Sequence, residues 1–411
     1  MMHLREDCDF IVRQAISAVQ PHAAVARALN GKIFGKGRVI LVAIGKAAWS
    51  MADAAKQVLG KTIHQGIVIT KYGHSMGEIS GISIYEAGHP IPDANSFMAT
   101  EAVLAATSNL TDTDTVLFLI SGGGSALFEA PLISAEQSAD LTSQLLKSGA
   151  NIIEMNTIRK RFSKVKGGRF ALHCQPAHIY SIVLSDIIGD PLDMIASGPA
   201  HPDSSTTEDA ILIADKYRLN LTNDMKALLQ KETPKHLSNV ETVVTGSVRE
   251  LCNAAAKAAG ELGYRPLILT DSLDCVAREA GSFFAALSRY HQSGTEPIAV
   301  IAGGETVVHV TGSGLGGRNQ ELALSAALGI SGLNKTAVFS FGSDGTDGPT
   351  DAAGGFVDGN TAAHLSQLGM DAYQSLQNND AYHALKACGG LIITGPTGTN
   401  VNDVSVLLIR H

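Results

Sequence analysis

Charge is scarce in this chain. Asp, Glu, Lys and Arg make up 17% of its 411 residues, and 31 Lys+Arg fall short of 39 Asp+Glu. A formal net charge of −8 argues against a general binder of phosphate backbones, which needs a basic face. No apolar run approaches the roughly 18–20 residues that cross a bilayer. The five cysteines (Cys8, Cys174, Cys252, Cys275, Cys388) form no CxxC pair and no metal-finger spacing. They exclude a structural zinc site and read as reduced thiols of a cytoplasmic protein. The opening MMHLREDCDFIVRQ carries acids and no signal-peptide core, so secretion is not expected. Several catalytic signatures are missing too. Gly45-Lys46 is followed by Ala47 and lacks the upstream glycine of a P-loop, and there is no GxSxG elbow and no HExxH. A P-loop NTPase, an α/β-hydrolase and a zincin protease are therefore excluded.

What is present is a 45% hydrophobic composition, which excludes disorder, at a length that suggests two domains. Glycine is enriched, with 42 residues concentrated in loops after apolar runs. A short β-branched run, a Gly/Ser/Asp turn and an Ala-rich helical stretch recur along the chain. The runs are Arg38–Ile44, Gly66–Thr70, Thr115–Ile120, Ile179–Leu184, Thr242–Thr245, Pro266–Thr270, Pro297–Ala302 and Ala337–Phe341. Uninterrupted apolar strands alternating with helices predict an α/β architecture of parallel strands covered on both faces. Thr306–Val310, across a Gly-Gly-Glu turn from its predecessor, reads as the second arm of a hairpin. Leu391–Thr394 and Val404–Ile409 read as strands joined without a helix, so the second half is expected to be a mixed sheet. The polar stretch QKETPKHLSN at 230–239 is the best boundary, placing one domain at 1–235 and another at 236–411.

Open α/β sheets bind ligands outside the carboxyl ends of their strands. Those ends hold Lys46, the loop Ser121-Gly122-Gly123-Gly124-Ser125, Asp186, Glu305, the glycine run 312–317 with Arg318, and Asp344. Glycines that bare backbone N–H groups, two cations and three carboxylates suit phosphoryl transfer. The cations spread the transferring charge, and the carboxylates hold Mg²⁺ or take the proton of the attacking hydroxyl. GSGLGG at 312–317 matches GxGxxG, but a hairpin before it is foreign to a dinucleotide unit, so phosphate or carboxylate binding is the better reading. Asp347 and Asp351 read as turn acids of a surface loop, and His89 and His201, each before a proline, as structural. NTIRKRFSKVKGGRFA at 156–171 is the most basic stretch. It reads as a solvated helix face or, more sharply, as the lining of a site for an anionic ligand. Too little aromatic surface interleaves it for nucleic acid.

GKAA (45–48), AGHPIPD (87–93), SGGGSAL (121–127), the basic segment, SDIIGDPLDMIASGP (185–199), GGET (303–306), GSGLGGRNQE (312–321), GSDGTDGPTDAAGG (342–355) and GPTGTNVND (395–403) together resemble the glycerate 2-kinase family with its C-terminal MOFRL module. The resemblance implies a Rossmann-like N-terminal domain, a mixed α/β C-terminal domain and an active site in the cleft between them. It also implies ATP-dependent phosphorylation of D-glycerate at the 2-hydroxyl with Mg²⁺, and it places the family's lysine, arginine and aspartate on Lys46, Arg318 and Asp344. The expected mechanism lays the ATP phosphates over Ser121–Ser125 and lets Asp186 or Glu305 help hold Mg²⁺. The division of labour among the three carboxylates stays open. D-glycerate is the expected small-molecule partner, nucleic acid and membrane are not expected, and a homodimer is an admissible assembly. Family members have also been labelled hydroxypyruvate reductases, so an NAD(P)H-dependent reductase is one rival. A non-catalytic nucleotide-binding module is the other.

Overall fold

All-apolar strands need cover on both faces, and the computed structural model, which describes residues 4–411, builds two six-stranded sheets that have it. The first compact unit comprises Ala24–Leu184 and Asp190–Thr245. Its sheet consists of β1 (Val39–Ile44), β2 (Ile63–Lys71), β3 (Ile82–Ala87), β4 (Thr115–Ile120), β5 (His178–Leu184) and β6 (Val240–Gly246), in the order β3-β2-β1-β4-β5-β6. Strand β1 runs parallel to both β2 and β4, and β2–β3 and β4–β5 are parallel as well. This is the strand order of the dinucleotide-binding fold, which reverses direction between β1 and β4 and opens its ligand crevice at their carboxyl ends. Every residue of β1 and β4 is buried.

The boundary expected at 235/236 lies before β6, yet β6 belongs to this sheet. Ile179 N donates to Asn239 O at 2.7 Å, extending the β5 ladder to the start of β6, so the unit runs on to Thr245.

The second unit comprises residues 4–23, Ser185–Gly189 and Gly246–His411. It holds β7 (Arg265–Leu273), β8 (Ile298–Gly304), β9 (Thr336–Gly342), β10 (Gly354–Asp358), β11 (Leu391–Ile392) and β12 (Asp403–Ile409), in the order β11-β10-β9-β12-β8-β7. Only β7–β8 is parallel, so the sheet is mixed, as expected. Alternation along β12 sorts the two cores. Val404, Val406 and Leu408 face the helices Leu4–Ala18 and Val248–Glu261, while Leu407 and Ile409 face Ala277–His291 and Arg318–Gly329. The expected hairpin arm Thr306–Val310 is not a strand. Both edges of β8 are already filled, by β12 and β7, leaving no place for a hairpin partner. Only Val307 pairs, its N–H donating to Cys275 O at 3.0 Å. No helix among the described residues is long and apolar enough to cross a membrane.

Candidate active site

In the first unit, the turn after β1 and the loop after β4 are built against each other. Lys46 N donates to Gly122 O at 2.9 Å, and the Ser121 hydroxyl accepts from Ala47 N at 3.1 Å while donating to Ile44 O at 3.3 Å. Gly45 has φ +114°, and a Cβ there would fall 2.2 Å from Ser121 Oγ, so only glycine permits this approach. Phe118 in β4 and Phe128 just past the loop both pack on Phe170, with ring centroids 4.9 and 5.2 Å away, and so fix the loop from both sides. The backbone N–H groups of Gly122, Gly123, Gly124 and Ser125 meet no acceptor among the described residues. Anion-ready donors thus stand at the switch point of the sheet, as P-loop-like nests do.

Basic groups surround these donors. Lys46 is exposed, and it and His89 both reach Gly123: a Cβ on that residue would meet His89 Cδ2 at 3.0 Å and Lys46 Cγ at 3.3 Å. His74 Nδ1 lies 3.1 Å from Lys46 O. Burial, and then the charges of Lys46, Lys71 and His74, push His89 below the ordinary imidazole value. The far wall of the loop is under backbone strain. Ala196 and Ser197, both buried, adopt φ +52° and +62°, and the Ala196 methyl fills the space a Gly124 side chain would need. Ser197 Oγ sits 2.9 Å from Ser125 Oγ and donates to Asn156 Oδ1 at 3.1 Å.

In the second unit, Arg318 is held at the start of its helix by two carboxylates. It grips Asp403 through Nε (2.5 Å) and Nη2 (3.1 Å), and Glu305 through Nη1 (2.8 Å). Three of its five N–H groups are thereby used and two remain, on a side chain still one-third exposed. Burial lowers the Arg318 pKa, but Asp403 and Glu305 outweigh it and lock the cation. Burial raises Asp403, with Arg318 pulling it back only in part. Asn402 Nδ2 donates to the other Glu305 oxygen at 3.2 Å. Asp344 abuts the same place, since a Cβ on Gly342 would lie 3.2 Å from Asp344 Oδ1 and 3.3 Å from Asp403 Oδ1. Arg318, Glu305 and Asp344 are therefore brought together. Asp186 lies in the 185–189 segment of this unit, and Ile188 from that segment lines a cavity of about 680 Å³ with Glu305, Arg318, Val307, Val310 and Pro349.

The first part of the glycine run 312–317 is closed to a phosphate. Its donors are taken: Thr311 N and Gly312 N by Asn379 Oδ1, Ser313 N and Gly314 N by Asn378, and Leu315 N by Asp380, while Gly316 and Gly317 line the cavity beside Arg318. The helix N-terminus beyond it is occupied by Asp347, which accepts from Asn319 N at 3.1 Å and Gln320 N at 2.8 Å. Asp347 is 2% exposed, so the surface-loop reading of that acid is overturned. The basic segment is not a solvated face either. Lys160 is buried on Asp203 (2.9 Å), Arg161 on Glu232 (2.6 Å) and Lys166 on Glu129. Among the described residues, no group of three or more His, Cys, Asp or Glu is placed to hold a metal ion.

A family model described as a domain of unknown function (DUF4147) matches residues 7–230, and a MOFRL family model matches residues 298–403. The D-glycerate 2-kinase of Thermotoga maritima is 55% identical over 405 residues, covering 97% of each chain. The crystal structure of the T. maritima glycerate kinase superposes with a TM-score of 0.94 at 54% identity, over 99% of both chains. The glycerate 2-kinase of Pyrococcus horikoshii is 40% identical, covering 99% of this chain and 98% of its own. An Agrobacterium vitis protein, 37% identical over 96% of this chain and 92% of its own, is provisionally named a hydroxypyruvate reductase. The chain belongs to the glycerate 2-kinase family.

In this member of the glycerate 2-kinase family, the sequence reading found the strand-end cations and missed what holds them. Asp403 sits in the GPTGTNVND motif, and its role depends on β12 lying beside β8, a pairing no local pattern announces. His89 follows β3, whose half-exposed ISIYEA gives a weak strand signal; without that strand the histidine looks like an ordinary loop residue.

Proposed function

We infer that this chain transfers the γ-phosphoryl group of ATP to the 2-hydroxyl of D-glycerate, giving 2-phosphoglycerate and ADP. The observation that carries it is the set of unsatisfied N–H groups at residues 122–125, with Lys46 and His89 reaching Gly123. Such a site is made for a multiply charged phosphate, and full-length relatives carry the name of the kinase. The ATP phosphates lie on the backbone of this loop. Of its hydroxyls, Ser121 is committed to the β1 turn, and Ser125 faces Ser197. Lys46 and the two spare N–H groups of Arg318 offset charge on the transferring phosphoryl, and Asp344 accepts the proton of the attacking hydroxyl.

Mg²⁺ usually binds one or two carboxylates plus phosphate oxygens rather than an all-protein cage. The oxygen donors Asp186 and Glu305 fit that mode and would hold it, where it would neutralise phosphate charge. Glu305, already bound by Arg318 and Asn402, is presented in a fixed orientation.

The reductase reading finds no support at GSGLGG, where the backbone donors of 312–315 are occupied and no strand leads directly into the loop. The test is ADP release with D-glycerate, followed by NMR assignment of the phosphorylated carbon. Phosphorus on C2 is expected, with turnover by Lys46→Ala lower by at least a hundredfold. NAD(P)H oxidation by hydroxypyruvate without ADP release would overturn the reading.

A further inference from the structure

Six cations lie between Arg159 and Arg169, and five have partners. Lys160, Arg161 and Lys166 are buried on Asp203, Glu232 and Glu129; Lys164 pairs with Glu101 at 2.7 Å; Arg169 donates to the carbonyls of Lys160 and Ser163. The Arg159 side chain alone has no hydrogen bond, ion pair or ring contact among the described residues, although it is only partly exposed. It feels the Glu129 carboxylate without a hydrogen bond to it: Lys166 holds Oε2 of that carboxylate, and Oε1 is buried without a partner. Two positive charges thus share one negative charge in a desolvated place, an arrangement that costs free energy unless an anion completes it. Arg159 lies one helical turn beyond Asn156, which is joined through Ser197 to Ser125 of the phosphate loop.

We propose that Arg159 binds the carboxylate of the hydroxy-acid substrate and selects acids over uncharged polyols. The proposal rests on the kinase reading above. The planar guanidinium matches a carboxylate with two parallel hydrogen bonds, which an ammonium cannot do. The loop N–H groups and Lys46 serve the nucleotide phosphates, which leaves Arg159 for the second anion of the reaction.

The experiment compares wild type, Arg159→Gln and Arg159→Lys after circular dichroism and thermal unfolding establish that each is folded. ADP formation is titrated separately in D-glycerate and ATP, and calorimetry measures D-glycerate and glycerol binding without nucleotide. R159Q is expected to raise KM for D-glycerate by ~10–100-fold, the factor charge-assisted hydrogen bonds carry. Its kcat should stay within a few-fold, its KM for ATP should hold, and its calorimetric signal with D-glycerate should vanish. R159K, keeping charge without the fork, should fall between, and it decides the matter if R159Q does not fold. An unchanged KM for D-glycerate overturns the proposal, as does a rise confined to ATP. Should wild type release no ADP, the kinase reading fails while the binding arm still judges Arg159. D-glycerate binding lost in R159Q upholds the site; binding equal in both proteins, or absent from wild type, refutes it.

Discussion

Asp347 is a carboxyl group with two conflicting demands. It caps the helix Arg318–Gly329 through two backbone N–H groups, which favour the charged form, yet it is buried away from water. Burial wins and raises its pKa to about 6, with the N–H donors and Arg318 opposing. An unfolded chain releases this proton near pH 3.8, so the folded state binds it more tightly. The stabilisation from this group is complete below about pH 4 and is lost as pH rises through about 6, on the order of 3 kcal/mol. Asp347→Asn cannot titrate. The stability advantage of wild type over D347N should therefore shrink between pH 4.5 and 7.5, measured by urea midpoints across that range. Parallel pH profiles for the two proteins would refute the assignment.

At the scale of the element, the segment from Thr311 to Gly329 shows why a glycine pattern misleads. A Cβ on Gly314 would lie 2.4 Å from Asp380 Cβ and 2.6 Å from Asn378 O, whereas one on Gly316 meets nothing closer than 3.3 Å. The first glycine exists for packing against residues 378–380, not for a cofactor. Gly314→Ala should lower the thermal midpoint by several degrees, an overpacking cost of about 1–3 kcal/mol, and should reduce kcat by loosening Arg318. Gly316→Ala should be nearly neutral in stability. A dinucleotide loop would instead lose cofactor affinity in both variants with stability intact.

The same contrast marks what could be read in advance. Strands β1, β4, β5, β8 and β9 were legible because their buried apolar runs are unbroken, and with them the strand-end residues Lys46, Glu305, Arg318 and Asp344. β10 escaped because it opens on Gly354 and Gly355, which pack against Ser340 O and Leu385 and look like a turn in sequence. Thr306–Val310 has the β-branched composition of a strand but no free sheet edge to join. Asp347 and Asp403 are defined by partners 28 and 85 residues away, beyond any local window.

At the scale of the whole molecule, the chain changes unit four times, after residues 23, 184, 189 and 245. Both of its ends belong to one unit. Asp7, wholly buried in the helix Leu4–Ala18, accepts from Arg410 Nη2 at 2.9 Å and from the Tyr264 hydroxyl at 2.6 Å. That helix also lays Ile11, Val12, Ala15 and Ile16 in the core shared with Leu251 and Ala255. A fragment of residues 1–235 would strand this apolar face and lack β6, while 236–411 would lose the cover over Phe339 and Phe341. Neither fragment should unfold cooperatively by calorimetry, and both should be cut rapidly by protease. Residues 24–245, which keep all six strands of the parallel sheet except the last residue of β6, should give a single cooperative transition. Cooperative unfolding of 1–235 together with its failure in 24–245 would mean that the chain is organised as consecutive halves and that the N-terminal helix has no essential partner beyond residue 245.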